Sequence, residues 1–110
     1  MQKKTLKFEN KLVEPILSGK KNCTWRLFDD KNLSVGDGLV FVNRDTLKEF
    51  AEAKIISIIE KELKNVDDFD FDGHESFGSK EEMIETYKGY YGDKVSEDSL
   101  VKIIKFRLIK

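Results

Sequence analysis

Cysteine, proline, histidine and tryptophan occur once each in this chain of 110 residues, and each scarcity closes off a class of protein. Cys23 has no second thiol to pair with, which fits a reducing compartment rather than a disulfide-stapled secreted fold. His74 has no His-x-x-x-His or Cys-x-x-Cys neighbour, so a catalytic zinc is not expected. No window of about 18 apolar residues occurs, as a membrane span would need, and Met1-Gln2-Lys3-Lys4 leads into a charged segment rather than a signal-peptide core. A cytoplasmic protein without membrane contact is the expectation. Lys and Arg number 20 against 21 Asp and Glu. That balance lacks the cationic surplus that binds a long polyphosphate backbone, so any nucleic-acid ligand is expected to be short or monomeric. The length suits one domain over residues 1–110 with one modest core. Oligomeric state is not legible.

What is present is a run of short apolar segments between polar turns. Thr5–Phe8 reads as a strand, and Asn10 as the cap of a short helix ending at Gly19, with Pro15 placing its start nearer Glu14. Val35-Gly36-Asp37-Gly38 reads as a tight turn into a strand over Leu39–Asn43, and Arg44–Lys48 as a polar hairpin connection. Phe50–Ile59 has helical composition but four β-branched isoleucines, which favour a strand. Asn65–Gly78 fits neither period and reads as a loop. Its aspartates at 67, 68, 70 and 72 suggest calcium, but Phe69 and Phe71 interrupt them and no glutamate stands at the twelfth position. Ser79 with Glu82 makes a capping box for a helix over Lys80–Tyr90, closed by Gly92. Ile104, Phe106 and Leu108 alternate with Lys105 and Arg107 in a last strand. Short strands without βαβ alternation indicate a small barrel with helices at its ends.

The stretch from Gly19 to Leu27 carries the chemistry. In an extended segment Thr24 and Arg26 share a face, and a bend near Asn22 brings Lys21 to them. Gly19, Lys21, Thr24 and Arg26 resemble the Gly-x-Lys-x-x-Glu/Thr-x-Arg signature of the ASCH family of small PUA-like domains. The resemblance extends over nearly the whole chain, through Val35-Gly36-Asp37, the His74-Glu75 segment, the acidic helix ending in Tyr90-Tyr91-Gly92, and the last apolar strand. It implies an α+β fold, a small mixed β-barrel with short flanking helices. Threonine at the third position is similar to the bacterial subgroup of N4-acetylcytidine amidohydrolases, which implies a metal-independent hydrolase with no cofactor. In that resemblance Lys21, Thr24 and Glu75 are the catalytic group, with Glu81 and Glu82 as fallback carboxylates; by residue type Arg26 could bind a substrate carbonyl or phosphate and Tyr91 could stack on a base.

The residue types suit the chemistry. Amide hydrolysis needs a nucleophile, a base and donors for the oxyanion. Thr24 supplies an alcohol; Lys21 can take its proton only where its pKa falls well below ~10.4. A carboxylate would orient the lysine or return the proton to the leaving amine. Each residue also has a plain structural reading. Lys21 could be a solvated lysine at a strand edge, Arg26 could pair with a loop aspartate such as Asp37, and Trp25, on the face opposite Thr24, belongs in the core. Tyr90 and Tyr91 are the better stacking candidates. A binding module holding a nucleotide or RNA end without chemistry is the alternative to an enzyme.

Overall fold

The computed structural model describes residues 3–28, 31–67 and 77–109. Five strands, β1 (Lys4–Phe8), β2 (Cys23–Leu27), β3 (Gly38–Asn43), β4 (Glu49–Glu62) and β5 (Leu100–Ile109), form one sheet in the order β1-β3-β4-β5-β2. Among the described residues two α-helices, α1 (Asn10–Leu17) and α2 (Lys80–Tyr91), flank it. Only β1 and β3 run parallel, because α1 and β2 intervene between them in the chain; β3-β4, β4-β5 and β5-β2 are antiparallel. Register shifts at Phe41/Val42 and Ile55/Ser57 bend the sheet into a half-barrel. This is the α+β PUA-like architecture that the sequence implies.

Alternation along the strands divides the interior in two. Ile104 and Phe106 of β5 face one side with Leu6, Phe8, Leu39, Phe41, Ala53 and Ile55, and Ile16 of α1 covers them. Ile103 and Val101 face the other side with Cys23, Trp25 and Leu27, beneath Met83 and Tyr87 of α2. The β-branched segment after the hairpin is a strand, since alternate burial of its residues against two neighbouring strands outweighs its helical propensity. Helix α2 is capped by the Ser79 hydroxyl, which accepts from the Glu82 N–H, and ended by Gly92 at φ +91°.

The start of α1 departs from expectation. It begins at Asn10 despite Pro15 at its sixth position, and Glu9 stands at its cap without a side-chain bond. Asn10 Oδ1 instead accepts from Asn43 Nδ2 at 2.9 Å, so a contact with β3 displaces local capping.

Candidate functional site

Strand β2 lies at a sheet edge, paired only with β5. In an antiparallel pair every second residue turns its N–H and C=O away from the partner, so such groups at an edge need other partners. Side chains meet this need on β2. Lys21 Nζ donates to the Cys23 carbonyl at 2.7 Å, and the Tyr91 hydroxyl accepts from the Leu27 N–H at 3.3 Å. Arg26 reaches across the seam to the opposite edge strand, where its Nη2 donates to the Lys7 carbonyl at 3.1 Å and its guanidinium lies 4.8 Å over the Phe8 ring.

These side chains line one cleft of about 230 Å³ at the open seam of the half-barrel. Lys21, Thr24, Arg26 and Tyr91, four of the five residues singled out from the sequence, are all on its wall. Glu75 lies outside the described residues, as does His74. Lys21 and Thr24 are more enclosed than a cleft-surface position suggests, at 5% and 4% exposure, because the segment folds back under α1 through a Lys21 N–H bond to the Pro15 carbonyl. No hydrogen bond holds the Thr24 hydroxyl among the described residues. Trp25 packs in the core, its ring parallel to Tyr87 at 6.3 Å, and also reaches the cleft wall.

Arg26 does not form the ion pair with Asp37 that its sequence setting allowed. Asp37 is 2.8 Å from Lys4 Nζ and accepts from the Ser34 N–H. Burial pushes the Arg26 guanidinium below its usual pKa, opposed by the phenol oxygens of Tyr91, Tyr87 and Tyr90. Its Nε is buried with no hydrogen-bond partner among the described residues. An enclosed cation with an unfilled donor favours an incoming acceptor oxygen.

Apart from Tyr90, the outer rim of the cleft was not legible in the sequence. Glu9 is the carboxylate among its described lining residues; it accepts from the Tyr90 hydroxyl and lies 3.9 Å from Arg44. Glu81 and Glu82, in the first turn of α2, do not line it. Nothing around Glu9 in sequence marks it, since it reaches the cleft only through the packing of β1 against β3 and of α2 across the seam.

No family model and no curated sequence matches the chain. Solved structures do. A DUF984 protein from Enterococcus faecalis V583 superposes with a TM-score of 0.81 at 15% identity, over 99% of this chain and 81% of that one. An ASCH domain from Lactobacillus crispatus gives 0.69 at 22% identity, over 90% and 70%. An ASCH protein from Zymomonas mobilis gives 0.66 at 13% identity, over 94% and 65%. The chain therefore has the fold of the ASCH domains.

Proposed function

We propose that the protein is a metal-independent amidohydrolase that removes an acyl group from the N4 amine of cytidine or a related nucleoside. The observation that carries this reading is the Thr24 hydroxyl on the wall of a cleft that it shares with Lys21, Arg26 and Tyr91. Its volume, about 230 Å³, falls just under the ~300–1,000 Å³ of drug-sized ligand sites. A base or nucleoside is of the right order, and a folded RNA could present only one residue to it.

In this reading the Thr24 hydroxyl attacks the acyl carbonyl as its proton passes to the neutral amine of Lys21. A neutral amine keeps two N–H bonds and one lone pair. The bond to the Cys23 carbonyl occupies one N–H and fixes the nitrogen, so holding the strand edge and accepting a proton are compatible. The oxyanion gathers on the former carbonyl oxygen, to which Arg26 or the Tyr91 hydroxyl, both on the cleft wall, would donate. The lysine then returns the proton to N4 as the C–N bond breaks, releasing cytidine and leaving an ester on Thr24. Water hydrolyses that ester by the same base. A carboxylate such as Glu75, or Glu9 on the rim, would assist the proton return.

A non-catalytic nucleotide-binding module would use the same cleft, and the buried Arg26, whose Nε has no partner among the described residues, favours that reading equally. The hydroxyl at position 24 separates the two. Incubating the purified protein with N4-acetylcytidine and following the ultraviolet change on deacylation tests the proposal. Tight binding of the nucleoside without turnover would leave only the module.

A further inference from the structure

Arg26 and Tyr91 belong to two clefts. Beyond them the surface opens into a second hollow of about 290 Å³, whose wall includes Phe28, Lys31, Lys94 and Leu33. No carboxylate lines it among the described residues. Just after β2, Phe28 holds a left-handed backbone at φ +52° with 42% of its surface exposed. A bulky aromatic residue is uncommon there, and an apolar ring at the surface gains nothing by burial. Lys94 Nζ lies 4.3 Å over that ring, and Tyr91 meets it edge-on at 5.8 Å. The result is an ammonium over an aromatic floor, in a hollow that shares Arg26 and Tyr91 with the cleft that holds Thr24.

We propose that this second hollow receives a phosphoryl group attached to the nucleoside in the first cleft, with Lys94 and Lys31 as its cations and Arg26 at the junction. This rests on the reading of the first cleft as a cytidine site. The near-neutral chain, 20 cationic against 21 anionic residues, cannot hold a long polyanion through its overall field. A cationic cluster beside a nucleoside-sized cleft needs only one or two phosphates. The phosphoryl oxygens would also supply the acceptor that the buried Arg26 Nε lacks among the described residues. Two ligands share this chemistry, a cytidine monophosphate and an internal phosphodiester of a short single strand. Phe28 distinguishes them, because only a strand offers a second base to stack on its ring.

Calorimetric titration of the full chain with cytidine, its 3′- and 5′-monophosphates, and a trinucleotide with central cytidine tests the inference without needing turnover. At least one monophosphate is expected to bind about tenfold tighter than cytidine, with an affinity that falls with salt by about one phosphate contact's slope. In Lys94→Glu this advantage over cytidine should vanish; Lys94 is exposed, so the variant folds. A trinucleotide advantage over the monophosphate that Phe28→Ala removes assigns the strand; equal binding assigns the mononucleotide. If neither monophosphate binds tighter than cytidine, or Lys94→Glu keeps the full advantage, the inference is overturned. Phosphate preference without hydrolysis of any acylated cytidine would instead overturn the proposed activity and leave this site standing.

Discussion

Replacing Thr24 by valine keeps the branched side chain and removes only the hydroxyl, at a position 4% exposed. With no hydrogen bond holding that hydroxyl among the described residues, the exchange should alter stability by less than about 1 kcal/mol, because no partner is left unsatisfied. Thr24→Ala also removes a buried methyl group. At ~0.8 kcal/mol per buried carbon plus a small cavity term, it should lose about 1–2 kcal/mol. A chain of 110 residues shifts its Tm by roughly 4 °C per kcal/mol, so valine should melt near wild type and alanine several degrees lower. Turnover should behave otherwise. Without a nucleophile both variants should lose about 10⁴-fold or more in kcat, of the order of 5–6 kcal/mol of barrier. Thr24→Ser keeps the oxygen and should retain measurable activity. The assay pairs a thermal melt with the ultraviolet deacylation rate of N4-acetylcytidine. A Thr24→Val protein turning over within about tenfold of wild type would refute nucleophilic attack by this residue.

Lys21→Met should abolish turnover and also lower stability by about 1–3 kcal/mol, since the Cys23 carbonyl loses its donor in a buried setting; a melt unchanged from wild type would show that the bond contributes nothing. Arg26→Lys should weaken ligand binding while the protein still folds, because an ammonium can reach the Lys7 carbonyl but cannot also lie flat over Phe8; unchanged affinity for cytidine would place Arg26 outside the binding site. Chelation should leave turnover intact, as no cluster of three or more His, Cys, Asp and Glu among the described residues is placed to hold a metal; a loss that zinc restores would overturn the mechanism. Lys64 holds the Asp98 carboxyl below its ordinary pKa, and Asp98 raises that of Lys64. The sign follows: the Asp98 contribution is present above its unfolded pKa and lost as pH falls through its lowered folded one, and that of Lys64 is lost as pH rises through its raised folded one. The melting difference between wild type and Asp98→Asn should thus shrink in acid and in high salt, both partners being exposed to solvent; a difference that persists in acid would assign it to something other than the charge pair.

The elements that the sequence declared were those with local causes. The α2 helix carries its own cap at Ser79 and its own stop at Gly92, and β5 carries its own alternation, so both stand where the pattern puts them. The convergence of Lys21, Thr24 and Arg26 was also local, since nine residues contain it. What stayed hidden was tertiary. Asn10 gave up its capping role to a contact 33 residues away in Asn43, and Arg26 found Lys7 and Phe8 rather than Asp37. The rim residues Glu9 and Arg44 lie in the connections after β1 and β3, which no spacing relates.

The location of the cleft follows from the sheet's failure to close. An open sheet leaves edge N–H and C=O groups that must be paired or hidden, and here β1 and β2 are the two edges. Lys21 takes the Cys23 carbonyl, Tyr91 the Leu27 N–H, and Arg26 the Lys7 carbonyl of the opposite edge. The side chains that give the cleft its chemistry are therefore the ones that seal the seam. It follows that finding Lys21, Arg26 and Tyr91 together would be explained by structure alone, with or without a reaction. Thr24 differs from all three. Among the described residues its hydroxyl seals no edge group, and valine would fill the same space, so the fold supplies no structural reason for an oxygen at this position.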